Sequence, residues 1–390
     1  MLRSLYSGIS GLRAHQTMLD VTGNNIANVN TTAFKSSATQ FQDTLSQLTS
    51  GAGVPQAGTG GTNPAQVGLG VLVAGISTNF TQGAAQTTGR PTDMMISGDG
   101  FFVTSLGGQQ LFTRAGSFDP DALGRLVSPD GAIVQGWNAV NGQIRQGGAL
   151  ENVTLPLDAV SPAKATTSAT LSGNLPINAE DGTSLVRDVP VYDAEGAKSD
   201  LTLTFTKTAA GWDVSGAVGT GAPSTGSLTF AGGALTGGGS LTVNGITVDM
   251  SKLTGFADSS TVAFSGQDGS AAGTLESFTL SKDGTLIGLF SNGSKQTIAR
   301  IALATFVNPG GLEKAGGSSY RQTVNSGDAQ VGGPGDGGLG TVAGGMLEMS
   351  NVDLSQEFTN LIVAQRGFQA NARIITTSDE VLQELTNLKR

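Results

Sequence analysis

Cysteine is absent from the 390 residues, which excludes a disulfide framework, a thiolate zinc site, thiol redox chemistry and a cysteine nucleophile. Any stability outside a cell must come from packing and β-sheet hydrogen bonding. A single histidine, His15, supports neither a histidine-based metal set nor a Ser-His-Asp triad, and it reads as a polar residue on a helix flank. Aromatic residues make up only 5%, and no sugar-stacking platform stands near the carboxylate pairs Asp93 with Asp99 or Asp181 with Asp188, so glycoside hydrolysis has little basis. Charged residues are 13% of the chain and sum to −9, a balance that repels phosphate backbones and anionic lipid and argues against a nucleic-acid partner. No apolar run approaches the roughly 18 residues needed to span a bilayer, and Met1 to Ser10 carries serines and a glycine where a signal peptide has an unbroken apolar core. Neither membrane insertion nor a cleaved signal is expected.

What is abundant is glycine, 59 residues, which with low charge points to many short strands joined by tight turns. The length accommodates two or three domains. The ends differ from the middle. Leu5, Ile9, Leu12, Leu19 and Ile26 follow a three-four spacing, with Gln16 and Gly23 at the intervening seam positions, and predict an amphipathic N-terminal helix. Near the other end Leu354, Phe358, Leu361, Phe368, Ile375 and Leu382 repeat the spacing. Gln365, Ala372 and Asp379 are its weaker members, and Leu385 and Leu388 continue a neighbouring row. Asp353 is placed to cap this helix and Gln356 to complete a capping box. At 1.5 Å per residue the helix from Leu354 to Leu388 is about 50 Å long. A compact domain of this size cannot cover such a helix, so its apolar stripe calls for the other terminus and for further copies of the chain.

Between the helices the period falls to two. Leu201, Leu203 and Phe205 alternate with threonines, and Asn244-Gly245, Asp283-Gly284, Asn292-Gly293, Asp99-Gly100, Asp130-Gly131 and Asn141-Gly142 supply turn pairs, which predicts β-hairpins in series from about 71 to 307. The glycine-rich stretches 51–70 and 332–345 read as connectors. The fold class expected is mainly β with terminal α-helices, an elongated multi-domain subunit in which the helices form a coiled-coil-like core and two β domains stack. Chemistry-bearing patterns are weak. Gly98-Asp99-Gly100 opens like a dinucleotide fingerprint, but a strand follows it where a helix is needed. Asp119, Asp121, Gly124 and Asp130 occupy four positions of a calcium loop, yet Leu123 stands where a ligand is required and flanking helices are lacking, so a β-turn is the expectation. No catalytic, cofactor or metal site is expected.

Leu5-Tyr6-Ser7-Gly8-Ile9-Ser10-Gly11-Leu12 followed by Asn24-Asn25-Ile26-Ala27-Asn28-Val29-Asn30-Thr31-Thr32-Ala33-Phe34-Lys35 resembles the N-terminal motif of bacterial flagellar rod and hook proteins. Gly345 to Leu354 and Ala364-Gln365-Arg366-Gly367-Phe368-Gln369-Ala370-Asn371 resemble the same family's C-terminal motif. Gly98 to Phe102 and Phe112 to Phe118 look like its inner β domain. Ala33 departs from the family's usual glycine and suggests a less bent exit from the helix.

The resemblance implies a non-enzymatic structural subunit that self-assembles into an axial tube of the flagellum, outside the cell. Its domains are an N-terminal helix over 1–30, a connector over 31–75, an inner β domain over 76–147 and 277–345, an outer β domain inserted at 148–276, and a C-terminal helix over 346–390. The insertion points to hook-type members, which form a flexible curved tube carrying torque from rod to filament. A straight distal rod protein is the alternative, and a secreted β-rich adhesin or enzyme with helical oligomerisation ends is a more distant one. Besides itself, the implied partners are the distal rod protein, the hook cap protein, the hook-filament junction protein and the flagellar export gate. The family-motif residues are Asn24, Asn25, Asn28, Phe34, Gln365, Arg366, Gln369 and Asn371. Asn24 and Asn28 share a helix face, where they either fix register or simply end the helix. Phe41 and Leu45 match the family's Phe-x-x-x-hydrophobic export signal. Hinges for the outer domain are expected near Gly147-Gly148 and Gly273.

Overall fold

The computed structural model describes all residues except 1, 57, 59, 141, 146, 157–159 and 388–390. Asn141 of the expected turn and Leu388 of the expected helix row therefore lie outside the described residues. The chain divides into two compact units. The first comprises Met1–Leu155, Thr279–Leu286 and Thr297–Arg390, and the second Pro156–Phe278 and Ile287–Gln296. The chain is mainly β, with one long helix near each end, α1 (Leu2–Ala27) and α2 (Leu354–Asn387), packed on each other within the first unit.

In the first unit, the segment read as a loose connector is an ordered ribbon. Ser37–Asp43 pairs antiparallel with Val71–Thr78, and Ser46–Ser50 with Ala65–Gly68. Composition hid these strands because most of their side chains are exposed and carry no apolar alternation. The β core of this unit is built from antiparallel pairs, among them Phe101–Leu106 with Gln109–Thr113, and Met94–Ser97 with Thr341–Gly344. Phe101, Val103, Phe112, Trp137, Phe306 and Tyr320 are buried together, with the Phe112 and Phe306 rings edge to face at 4.8 Å. Gly116 has a steric reason to be glycine: a Cβ there would sit 1.7 Å from the Met94 carbonyl oxygen.

The glycine-rich stretch near 332–345 is also ordered, folded round the Arg300 guanidinium. Arg300 donates to the carbonyls of Asp283 at 2.8 Å and Pro334 at 3.1 Å and pairs with Asp336 at 3.2 Å. The calcium-like pattern is a turn: Asp121 Oδ1 accepts from the backbone N–H of Leu123 and Arg125, and Oδ2 pairs with the Arg125 side chain at 2.6 Å.

The second unit is built round a sheet of nine strands among the described residues, in which Ser184–Tyr192, Lys198–Thr208, Gly211–Val218 and Ser224–Ala231 follow one another as antiparallel hairpins. Period two is explicit: Leu201, Leu203 and Phe205 are buried and their neighbours are not. One departure from hairpins in series is the parallel pairing of Ser168–Asn174 with Ile246–Thr254. The boundaries also shift from the expected 148–276. The Asn292-Gly293 turn belongs to this unit because the Asn292 amide donates to the Ala271 carbonyl at 2.8 Å and its side chain lies against Gly273. Gly273 itself pairs in register with Ser161, and a Cβ there would come within 2.8 Å of Asn292. Its glycine serves close packing, so no hinge is placed there.

Candidate functional site

Two amphipathic helices near the chain ends pack antiparallel, and their contact is made by small residues. Along α1 the buried positions are Gly8, Gly11, Ala14, Thr22 and Asn25. Leu5, Ile9, Leu12, Leu19 and Ile26, the row read as the seam, are only half-buried beside it. The displacement is about one residue, or 100° round the helix. Its cause is steric. An ideal Cβ on Gly11 would lie 2.7 Å from Asn371 Oδ1, and one on Gly367 would lie 2.5 Å from the His15 ring, so glycine lets the backbones approach where leucine would hold them apart. On α2 half of the predicted seam lies on the inward face: Leu361, Phe368, Ile375 and Leu382 are half-buried. Ala372 is half-buried with them, while Phe358, Gln365 and Asp379 are exposed and their places are taken by Glu357, Ala364, Asn371 and Ser378.

Asp353 caps α2, its Oδ1 accepting from the N–H of Ser355 at 2.8 Å and Gln356 at 3.3 Å. Gln356 does not close a capping box, because its amide reaches forward to Asn360 Oδ1. The far end of α1 is held by polar bonds. Asn25 Nδ2 donates to Glu357 Oε1 at 3.0 Å and to the Ser37 carbonyl at 2.8 Å, while Asn25 Oδ1 accepts from the Ser37 N–H. One buried amide thus ties α1, α2 and the ribbon. Asn24 and Asn28 bond each other at the last turn, and Thr31 donates to Asn28. They end the helix and do not enter the seam.

Beyond α1 the chain turns at Ala33, which holds φ 57 and donates its N–H to the Glu348 carbonyl. Alanine here adopts the left-handed conformation a glycine would, so the exit is as bent as a glycine would make it, contrary to the expectation from sequence. Lys35 then enters a buried ionic cluster. Its Nζ donates to Glu348 Oε1 at 2.5 Å and to the Thr81 carbonyl at 2.8 Å, Gly83 N–H donates to the same carboxylate oxygen, and Arg114 Nη1 lies 3.7 Å from the other. Burial pushes the Lys35 ammonium below its ordinary value, while the hydrogen bond and charge of Glu348 oppose the shift. Asn351 binds the same junction, accepting from Ser36 N–H and donating to the Asn79 and Thr81 carbonyls. Lys35, Glu348 and Asn351 stand inside the terminal motifs, where no local pattern assigns them a role. A lone Lys and Glu 313 residues apart carry no local signal of pairing.

The remaining motif residues face outward or sit at the edges. Gln365, Arg366 and Gln369 are exposed; Phe34 is half-buried with Lys314 Nζ 5.3 Å from its ring centre. Phe41 lies in an extended strand beside His15, ring centres 5.8 Å apart, and Leu45 is 84% exposed. The two exposed flanks of α2 are the notable surface. Leu354, Phe358, Ile362, Ile374, Val381 and Leu385 all stand exposed, Phe358 by 52% and Ile362 by 56%. Large apolar side chains repeating along one helix are the mark of a contact surface. Among the described residues no group of three or more His, Asp or Glu is placed to hold a metal ion, and no helix is long and apolar enough to cross a membrane.

Comparison with known proteins follows the same three regions. Residues 5–35 match the family described as flagella basal body rod protein, residues 95–174 the flagellar hook protein FlgE/F/G D1 domain, and residues 343–388 the flagellar basal body rod FlgEFG protein C-terminal region. The chain is 41% identical to the flagellar hook protein FlgE of Borreliella burgdorferi over the full length of both. To that of Salmonella typhimurium it is 36% identical, over 99% of this chain and all of the relative. It is 35% identical to the flagellar basal-body rod protein FlgG of Bacillus subtilis, again over the full length of both. The crystal structure of Helicobacter pylori flagellar hook protein FlgE2 shares the fold with a TM-score of 0.50 at 15% identity, covering 68% of this chain and all of that one.

Proposed function

The chain belongs to the bacterial flagellar hook protein family, and we propose that this structural subunit of the hook polymerises through the outer faces of its terminal helices into a flexible, curved tube. The single observation that carries the reading is the set of large apolar side chains on α2, Phe358 and Ile362 along one flank and Ile374, Val381 and Leu385 along the other, which the described residues leave 42–56% exposed. Burying the exposed half of each such side chain against another copy is worth about 0.7–1.5 kcal/mol, so several acting together are needed to work against the entropy of association. Inside the subunit, the glycine-mediated seam and the Asn25–Glu357 bond set the relation of α1 to α2. The half-buried row Leu5, Ile9, Leu12, Leu19 and Ile26 supplies further apolar surface at its edge.

On this reading the role is mechanical, not catalytic. The helices form the wall of the tube, and the β-rich second unit supplies low-charge, serine- and threonine-rich surfaces that exchange contacts as the tube bends and carries torque. The distal rod, hook cap and hook-filament junction proteins are the partners at its ends. The subunit leaves the cell as an unfolded chain, and Phe41 with Leu45 serves as the export-gate signal; the absence of cysteine suits such passage. The test is electron microscopy of the purified full-length chain at rising concentration and salt. Curved tubes support the reading. A chain that remains monomeric throughout, even with hook fragments added as seeds, overturns it.

A further inference from the structure

A groove of about 390 Å³ runs between α1 and the ribbon strand Val71–Thr78, lined by Tyr6, Ile9, Arg13, Leu72 and Val73 among others. It is a built feature. The Val71 N–H donates to Ser10 Oγ at 3.2 Å, and Gly70 lies so close that a Cβ would come 2.3 Å from the same oxygen. Its floor is apolar and its rim basic: Tyr6 is 68% exposed, and Arg3 and Arg13 lie on the Tyr6 face of α1 with no ion-pair partner among the described residues.

No described residue of the subunit's own α2 lines this groove. It contacts α1 at Gly8 and Gly11, two residues from Tyr6 and Arg13 and hence about 200° round the helix at 100° per residue. The same antiparallel register, Asn25 with Glu357, His15 with Gly367 and Gly8 with Ile375, extrapolates to place the first residue of α1 opposite about residue 381. The last turns of α2 therefore run past the start of α1. There Val381 and Leu385 are 47% and 48% exposed, one helical turn apart. Glu380 and Glu384 form the adjacent row, exposed and without an ion-pair partner among the described residues.

We propose that the α1–ribbon groove receives the C-terminal turns of α2 from a second copy of this chain, with Val381 and Leu385 on the apolar floor and Glu380 and Glu384 beside Arg3 and Arg13. The inference rests on the self-assembly reading and gives it an address. An apolar pair one turn apart suits a helix laid in a groove, and an acidic row facing a basic rim fixes which face enters. The contact is heterologous, joining two different surfaces, so it propagates from copy to copy and does not close a dimer.

The experiment uses the full-length chain, whose lack of cysteine makes engineered thiols unambiguous. The double variant Leu72→Cys/Leu385→Cys, polymerised and then oxidised, is expected to give a ladder of covalent oligomers on a denaturing gel, and either single variant none beyond a dimer. In parallel, Glu380→Arg/Glu384→Arg is expected to raise the critical concentration for assembly on the order of fivefold. Adding Arg3→Glu/Arg13→Glu is expected to bring it back towards the wild-type value. Polymers of the cysteine variant that yield no ladder, or a charge swap that does not restore assembly, overturn this docking mode alone. Wild-type chain that never polymerises overturns the self-assembly reading beneath it.

Discussion

Asn25 and Glu357, 332 residues apart, share a hydrogen bond of 3.0 Å inside the contact between the two terminal helices. The other Glu357 oxygen is buried without a partner, so the asparagine is the carboxylate's only side-chain donor among the described residues. Such a pair contributes more to register than to stability, because sliding one helix by a turn leaves a carboxylate buried and unbonded.

Replacing Asn25 by leucine leaves Glu357 with no side-chain donor and the Ser37 backbone without two bonds. The expected loss is about 1–3 kcal/mol, read as a lower urea midpoint for the helical circular dichroism signal. Adding Glu357→Leu removes the stranded charge and is expected to recover part of that loss. A double variant no better than Asn25→Leu would show that the two do not act as a pair.

The glycine seam makes a second prediction. Gly367→Ala puts a methyl group 2.5 Å from the His15 ring, and the ring must move or the helices must part. Destabilisation of about 1–3 kcal/mol is expected, in the range for overpacking. In a His15→Ala background most of it should vanish, giving a coupling above 0.5 kcal/mol in a double-mutant cycle. Additive effects would place the close approach elsewhere.

Ala33 tests the turn after α1. Relief of its left-handed strain is worth about 1–2 kcal/mol, against about 0.8 for the lost methyl burial and about 0.5–1 for glycine's extra chain entropy. These offset, so Ala33→Gly is expected to be nearly neutral in thermal melting. Ala33→Val, β-branched at positive φ, is expected to be strongly destabilising. A glycine variant that melts much lower would contradict the φ of 57 found here.

Tyr320 gives a pH prediction. Burial among Phe80, Phe101 and Phe306 raises its phenol to about 12, with Arg114 opposing the shift and Glu348 adding to it. The folded chain keeps the proton while the unfolded chain loses it near 10. The contribution is therefore fully present below pH 10 and lost as pH rises through 12, about 3 kcal/mol in all. Tyr320→Phe keeps the ring and should flatten that part of the urea-stability profile between pH 10 and 12. An unchanged slope would place the titration on another group.

Much of the architecture was legible in sequence because periodicity reports burial. The alternation at Leu201, Leu203 and Phe205 and the row Leu361, Phe368, Ile375 and Leu382 read directly onto the inward faces. What failed to read has a common cause. On α1 the contact is made by Gly8 and Gly11, and a search for large apolar residues selects the flanking leucines instead. The ribbon strands are exposed and give no alternation. The Lys35–Glu348 pair and the Asn351 bonds join residues hundreds of positions apart, and pairwise chemistry at that separation leaves no pattern in a single chain.

The central claim is that the exposed flanks of α2 join one copy to the next. Analytical ultracentrifugation of the full-length chain under polymerising conditions, beside Phe358→Asp/Ile362→Asp, tests it most directly. Both residues are more than half exposed, so the variant is expected to keep the wild-type circular dichroism spectrum and melting temperature as a monomer. The account predicts fast-sedimenting polymer from the wild type and a monomer alone from the variant. Polymer from the variant at the wild-type critical concentration would contradict it.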